Sequence, residues 1–261
     1  MSKTGVLKFD GKLIRYASFG KGEKTLIILP GLSIKSVVGS ASQIEKAYSV
    51  FSDDYTVFLF DRNENAGDGY SVENVAFDVR QVMDYLGIKK ADVFGASFGG
   101  MVAETLAVRY PERVNRLVLG STGARPCEGS FRAIDVWIRL AEKGKKGLLL
   151  RQIFAGVYGG EDSTEDADYF GEGEKISDEE LKRFLVYAKC ARDFDIYDEL
   201  YKIKCKTLVI SAKNDEVIPV KAAYEIAEKL NCEIYVYPEY GHAVFDVAPD
   251  YKQRLYEFFT R

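Results

Sequence analysis

Residues 93–110 read VFGASFGGMVAETLAVRY, and they carry the clearest evidence for the fold of this chain. Val93-Phe94 has the pattern of a buried strand, and residues 100–110 have the pattern of a helix. Between them, Gly95-Ala96-Ser97-Phe98-Gly99 matches G-x-S-x-G. A serine at such a sharp strand-to-helix turn projects its hydroxyl above the edge of a sheet. Ser97 is therefore a candidate nucleophile; the plainer alternative is a glycine-rich turn whose serine only caps the helix.

Short apolar runs of the same kind recur along the chain. They occur at residues 26–29, 57–60, 117–119, 208–210 and 234–237. Unbroken runs of this length are typical of strands buried on both faces, which predicts a mostly parallel sheet. Asp10-Gly11 separates two β-rich runs and predicts an opening hairpin with a type I′ turn. Ser71 precedes a helical apolar stripe that ends at Gly87. Alternating strands and helices predict an α/β fold with a doubly wound, mostly parallel central sheet.

The alternation stops between residues 124 and 195, where helical patterns replace strands. One pattern includes Ile134 and Ile138, and another begins with the capping box Ser177-Asp178-Glu179-Glu180. We therefore predict an α/β core formed by residues 1–123 and 196–261, with residues 124–195 inserted as a helical cap. Residues 161–174 hold seven acidic residues and no basic one, which favours a solvated loop.

A serine hydroxyl needs a base to accept its proton and an acid to orient that base. His242 is the one histidine of the chain, and it follows the predicted strand at residues 234–237. Asp215 follows the strand at residues 208–210. Loops at the carboxyl ends of parallel strands meet at one edge of a sheet, so the three side chains can share a crevice. We expect Glu216 to point elsewhere, and Asp246 follows His242 too closely to orient it.

Composition excludes several classes of function. With 36 basic and 40 acidic residues, the chain shows no basic face for a nucleic acid or an anionic membrane. It lacks a signal-peptide pattern and any apolar run of about 18 residues, so we expect a cytoplasmic protein with no membrane partner. A single histidine excludes metal sites that need several imidazoles. The four cysteines are widely spaced, which indicates reduced thiols. We predict no cofactor and no metal, and the sequence leaves the oligomeric state open.

These motifs, together with several others, resemble the α/β-hydrolase superfamily of serine hydrolases with a helical cap. Its members include small esterases, proline iminopeptidases and carbon–carbon bond hydrolases. The matching segments are Leu29-Pro30-Gly31-Leu32, Phe60-Asp61-Arg62, residues 95–100, residues 109–114, residues 215–219 and Gly241-His242. The resemblance implies the α/β-hydrolase fold and an oxyanion hole formed by the backbone amides of Leu32 and Phe98. It also implies an acyl-enzyme on Ser97, because dehalogenases of this superfamily use an aspartate there.

The sequence departs from the family pattern in two loops. Pro30-Gly31 replaces the usual His-Gly, which leaves the amide of Leu32 in place. Residues 61–71 replace a glycine-rich loop, and we expect them to reshape one wall of the substrate entrance.

The predicted partner is a small-molecule acyl substrate, and the predicted reaction is hydrolysis of a small carboxylic ester or related acyl compound. Aromatic residues of the cap are candidates for an apolar pocket above Ser97, although buried aromatics more often serve packing. The candidates are Trp137, Phe154 and Tyr158. Iminopeptidase or carbon–carbon bond hydrolysis by the same triad stays open, as does a ligand-binding protein without catalysis. An iminopeptidase needs acids near the substrate amine, such as Glu128, Asp135 or residues 161–174.

Overall fold

The computed structural model describes residues 2–126, 132–159 and 171–261. Eight strands form one sheet in the order β1-β2-β4-β3-β5-β6-β7-β8. The strands are β1 (Lys3–Phe9), β2 (Lys12–Gly20), β3 (Lys24–Leu29), β4 (Tyr55–Phe60), β5 (Ala91–Ala96), β6 (Val114–Gly120), β7 (Lys206–Ala212) and β8 (Glu233–Tyr237). β1 is antiparallel to β2, and β2 is antiparallel to β4. The six strands β3 to β8 are parallel to one another. The predicted mostly parallel sheet is confirmed.

The opening hairpin also forms as predicted. Phe9 pairs with Lys12, and the turn residues Asp10 and Gly11 have φ of 47° and 72°. Positive φ at both central positions is the type I′ geometry, which matches the twist of the strands that it joins. This hairpin adds two antiparallel strands beside β4, at the end of the sheet farthest from β8.

Helices cover both faces of the sheet. They are α1 (Ala41–Ala47), α2 (Val72–Tyr85), α3 (Phe98–Arg109), α4 (Arg132–Glu142), α5 (Lys146–Tyr158), α6 (Asp178–Arg192), α7 (Val220–Leu230), α8 (Val244–Val247) and α9 (Tyr251–Thr260). Alternate residues of each central strand belong to two different cores, since side chains of a strand point to opposite faces. One core includes α2, α3 and α7, and the other includes α1 and α9. The doubly wound arrangement is therefore confirmed.

Local sequence signals explain where two of the helices begin. The Ser71 and Ser177 side chains each accept a hydrogen bond from the backbone N–H three residues on, and both helices start with a complete capping box. Such a cap stabilises a helix by about 1 kcal/mol. The helix after the G-x-S-x-G motif starts at Phe98 rather than at Gly100 as predicted. The reason is that Ser97 alone makes the turn.

The segment between β6 and β7 contains α4, α5 and α6, and its described part contains no strand. α4 and α6 were predicted, whereas α5 carried no distinct sequence signal. The predicted acidic loop at 161–174 lies mostly outside the described residues, as does Glu128. The assignment of residues 124–195 to a separate cap domain stays a prediction. Across the described ranges, the helices are too short or too polar to cross a membrane.

Candidate active site

Ser97 occupies a strained turn between β5 and α3. Its φ of 53° and ψ of −121° are unusual for a residue with a side chain. The turn is held on both sides, because Ser97 N–H donates to Gly120 O at 2.8 Å and Thr122 Oγ1 donates to Ser97 O at 2.9 Å. Strain of this kind persists only where surrounding contacts impose it, and it is typical of functional sites. The geometry is that of a nucleophile elbow.

The glycines of the motif allow this turn to pack tightly. A Cβ at Gly95 would lie 2.3 Å from Gly99 O, and a Cβ at Gly99 would lie 1.9 Å from Leu29 O. A Cβ at Gly100 would lie 2.5 Å from the Thr122 side chain. Because these approaches are shorter than van der Waals contact, the elbow depends on the absence of side chains at all three glycines.

The side chains of Ser97, His242 and Asp215 form one hydrogen-bonded chain. His242 Nε2 lies 2.9 Å from Ser97 Oγ, and His242 Nδ1 lies 2.8 Å from Asp215 Oδ2. Asp215 Oδ1 also accepts from Val217 N–H at 2.9 Å and Ile218 N–H at 2.8 Å. With Nδ1–H directed at the carboxylate, Nε2 is the acceptor for the serine proton. The structure thus brings together the three residues that the sequence selected.

The loops after β7 and β8 bring Asp215 and His242 together. Lys213 N–H donates to Tyr237 O at 2.9 Å, and Asn214 N–H donates to Tyr240 O at 3.1 Å. Asp215 and His242 are 6% and 3% exposed. A buried ion pair or hydrogen bond is little screened by solvent, so this contact orients the imidazole strongly. Glu216 is exposed and takes no part in it.

The two candidate oxyanion donors belong to segments next to Ser97. Phe98 is the first residue of α3, so its N–H lacks an intrahelical acceptor. Leu32 follows Gly31. A Cβ added at Gly31 would lie 3.3 Å from Ser97 Cβ. The loop from β3 therefore touches the elbow directly. Pro30, in place of the family's histidine, does not keep this loop away from Ser97.

Arg62 holds the loop that carries Leu32. Its guanidinium is buried, donates from Nη1 to Gly31 O at 3.3 Å, and donates from Nη2 to the Ser33 hydroxyl. In a trans peptide, C=O and N–H point in opposite directions. Anchoring Gly31 O therefore turns the Leu32 N–H away from Arg62. The sequence contained Arg62 within a family motif but gave no signal of this contact.

Arg62 also connects this loop to the helical segment. The guanidinium carbon lies 5.3 Å from the centre of the Tyr187 ring in α6, and that ring is 5.8 Å from the ring of Phe98. The Tyr187 hydroxyl donates to Asn63 O at 2.7 Å. The loop at 61–71 was expected to form a wall of the substrate entrance. In the structure this loop packs against α6, and the expectation about the entrance stays a prediction.

A cavity of about 740 Å³ opens beside Gly31 and Leu32. Its remaining walls come from the ends of β3, β4 and β5, from α1, from α5 and from the α8 segment. Most of the side chains that line it are apolar. This size and character are typical of pockets for small organic ligands.

Phe154 and Tyr158 line this cavity, as the sequence suggested. Their rings stack 5.1 Å apart, and they are 48% and 49% exposed. Ala243 N–H donates to Val157 O at 2.9 Å, which ties the end of α5 to the residue after His242. Trp137 differs: it is 4% exposed in the hydrophobic core and is not among the described residues that line the cavity. Its position on the inner face of α4 makes it a packing residue.

Asp246 is an unpredicted polar residue of the cavity wall. It accepts a hydrogen bond of 3.4 Å from the Tyr158 hydroxyl. Asp246 is exposed to solvent. The protein nevertheless displaces enough water to raise the pKa of Asp246, while Lys252 opposes that effect. The sequence signal for a position of Asp246 near the site was its closeness to His242 in the chain.

The described residues were compared with the side-chain groupings that bind metal ions. Within residues 2–126, 132–159 and 171–261, no three His, Cys, Asp or Glu side chains are arranged to bind a metal ion. Burial raises the pKa of the Cys190 thiol to about 12, and Cys190, Cys205 and Cys232 are free. Cys127 lies outside the described residues.

Comparison with known proteins gives three kinds of likeness. Residues 24–249 match a family described as "alpha/beta hydrolase fold". The chain is 24% identical over 237 residues to "Putative carbamate hydrolase RutD" of Rhizobium rhizogenes, covering 87% of this chain and 88% of that protein. It is 30% identical over 194 residues to 2-hydroxy-6-oxo-6-phenylhexa-2,4-dienoate hydrolase of Comamonas testosteroni, covering 69% and 66%.

Among solved structures, the chain resembles MGS-M2, an alpha/beta hydrolase enzyme from a Medee basin deep-sea metagenome library. The TM-score is 0.85 at 22% identity, and the match covers 98% of each chain. At this identity the likeness shows the fold, whereas the substrate depends on the residues of the site.

Proposed function

Because the chain belongs to the α/β-hydrolase family, we propose that it is a serine hydrolase that cleaves a small carboxylic ester or related acyl compound. The observation that carries this proposal is the contact of 2.9 Å between Ser97 Oγ and His242 Nε2, in line with the contact between His242 and Asp215. A serine with this base can attack a carbonyl carbon and form an acyl-enzyme.

In the proposed mechanism, His242 takes the serine proton as Ser97 Oγ attacks, and it returns that proton to the leaving group. Asp215 holds the imidazole and stabilises its charged form. The amides of Leu32 and Phe98 stabilise the oxyanion, and each such donor contributes about 3 to 4 kcal/mol to transition-state binding. Water, activated by the same histidine, then releases the acid.

The acids of the cavity bear on the iminopeptidase alternative. An iminopeptidase would need acids placed to hold the substrate amine. Asp135 is exposed on α4 and is not one of the described cavity residues, while Glu172 lines the cavity but pairs with Lys175 at 2.5 Å. Asp246 is the remaining acid of the wall. A carbon–carbon bond hydrolase would use the same triad, so its substrate belongs in the same panel.

The test compares hydrolysis by wild-type protein and by Ser97→Ala. The panel contains p-nitrophenyl esters, an aminoacyl p-nitroanilide and a vinylogous diketone. We expect ester turnover by the wild type, and a loss of about 10⁴ to 10⁶ in kcat for Ser97→Ala. Fluorophosphonate should label the wild type and spare the variant, whose melting temperature should be unchanged. An unlabelled wild-type protein would favour a ligand-binding role.

A further inference from the structure

The wall of the cavity that lies on the sheet is lined by uncharged side chains. Its floor consists of Ile28, Leu59 and Phe94, from the neighbouring strands β3, β4 and β5. Ile28 pairs in register with both Leu59 and Phe94. The three side chains therefore form one row, and all belong to the core that α1 and α9 cover. They lie near the carboxyl ends of their strands, at the edge that carries Ser97.

The roof over this floor is also uncharged. It is formed by Ile44 of α1 and by Tyr48, the residue after that helix. Burial raises the pKa of the Tyr48 hydroxyl far above its usual range, so this side chain stays a neutral phenol. We call the space between Ile28, Leu59, Phe94, Ile44 and Tyr48 the acyl arm. Charged cavity residues come from other segments, namely Lys35, Glu172 and Asp246.

Small residues separate the acyl arm from the nucleophile. Ala96 directly precedes Ser97, lines the cavity, and lies on the same face as Phe94 because the two are two residues apart in β5. Gly31, which touches Ser97, also lines the cavity. A methyl group and a hydrogen at these positions leave room for a chain that runs from the reacting carbonyl to the floor.

We propose that the acyl arm binds the acyl chain of a neutral, unbranched carboxylic ester, and that the leaving group lies on the side of α5. This inference rests on the proposed function. The reason for the assignment is that a leaving group must depart and water must enter before the acyl-enzyme is cleaved. The α5 side offers that path, since Phe154 and Tyr158 are half-exposed there. The acyl arm has buried strand residues as its floor and would retain its chain through both steps.

The first experiment measures kcat/KM for p-nitrophenyl esters from acetate to decanoate. Each methylene that enters an apolar arm should raise kcat/KM about three- to fourfold until the arm is full, so the four extra methylenes of hexanoate should raise it about 80- to 250-fold over acetate. A second series holds the acyl group constant as acetate and lengthens the alcohol from ethyl to hexyl. A flat acyl series would overturn the proposal.

Two variants of Ile44 change the arm in opposite directions. Ile44→Phe should reduce the hexanoate to acetate ratio by about tenfold, because the added ring occupies the arm. Ile44→Ala should move the optimum to longer chains. Gln43→Phe adds the same ring to an exposed position of α1 that is not among the described cavity residues, and it should keep the wild-type profile. The proposal is wrong if Ile44→Phe alters the alcohol series and leaves the acyl series unchanged.

A third measurement separates this proposal from the proposed function. p-Nitrophenyl alkylphosphonates with methyl to octyl chains modify a triad serine without requiring turnover of an ester. If no ester is hydrolysed while these reagents still label Ser97, ester hydrolysis fails as the function. The acyl arm is then judged from the labelling rates alone, which should rise with alkyl length in the wild type and fall for long chains in Ile44→Phe. Labelling rates independent of length would refute it.

Discussion

Replacing Arg62 by methionine should damage the oxyanion hole without touching the triad. Arg62 Nη1 anchors Gly31 O at 3.3 Å, and that anchor directs the next amide, Leu32 N–H, toward the opposite side of the peptide. Methionine keeps an apolar stem of similar length against the Tyr187 ring but has no donor. The Gly31–Leu32 peptide is then free to rotate.

The size of the effect follows from what one donor contributes. Loss of a complete oxyanion donor costs about 2.7 to 4 kcal/mol, or 10² to 10³ in kcat. Because Arg62→Met misdirects Leu32 N–H and leaves Phe98 N–H in place, we expect a loss at the lower end, about 10²-fold in kcat/KM. The loss should fall on kcat with KM little changed, since the missing contact forms only in the transition state.

The assay pairs ester hydrolysis with inhibition by an alkyl boronic acid, whose adduct on Ser97 places an oxygen in the oxyanion hole. The inhibition constant should rise in proportion to the fall in kcat/KM, as transition-state binding requires. Ser33→Ala removes one acceptor of Arg62 but leaves the bond to Gly31 O, so it should cost less than about fivefold. Arg62→Met that melts like wild type and keeps its kcat/KM would refute the reasoning, as would a loss confined to KM.

Three further outcomes are expected. Glu104 is 0% exposed on α3, both its oxygens lack a hydrogen-bond partner among the described residues, and burial raises its pKa well above the usual range. The folded chain thus keeps the Glu104 carboxyl protonated to higher pH than the unfolded chain, so stability should fall as pH rises above about 4.3 toward the raised pKa. Glu104→Gln should weaken that fall in melting curves. Glu104→Leu should weaken it as well and should stabilise the protein by about 1 to 3 kcal/mol. Trp137→Ala should destabilise the fold by about 3 to 5 kcal/mol and lower activity uniformly over the ester panel, whereas a changed chain-length preference at normal stability would place the indole in the pocket. EDTA should leave hydrolysis unchanged, and inactivation reversed by zinc would contradict the triad mechanism.

The sheet and the triad were predictable because both depend on short, regular patterns. Buried strands require unbroken apolar runs, and the edge of a parallel sheet gathers whatever follows its strands. Asp215 and His242 follow two neighbouring strands, so their meeting needed no knowledge of packing. The elbow was recognisable because its glycines lie where a Cβ would clash with neighbouring backbone, as at Gly99 beside Leu29 O.

The cavity could not be predicted in the same way. Trp137 and Phe154 are both aromatic residues of the helical segment, yet one is buried in the core and the other faces the cavity. Composition does not separate them, because the difference depends on which face of each helix packs against its neighbours. Arg62 was part of a recognised motif, but its bond to Gly31 O joins segments 31 residues apart. Contacts of that kind depend on tertiary packing.

The proposed catalytic residues and the proposed substrate cavity therefore depend on different parts of this structure. The triad lies on three loops that the sheet fixes directly, and hydrogen bonds such as Asn214 N–H to Tyr240 O tie two of them together. The cavity walls come from segments with fewer such constraints, and α5 reaches the site through the bond of Ala243 N–H to Val157 O. A change in α1 or α5 can thus alter the space for substrate while the hydrogen bonds of Ser97, His242 and Asp215 stay intact. The same fold can therefore serve different substrates when the segments around the cavity change.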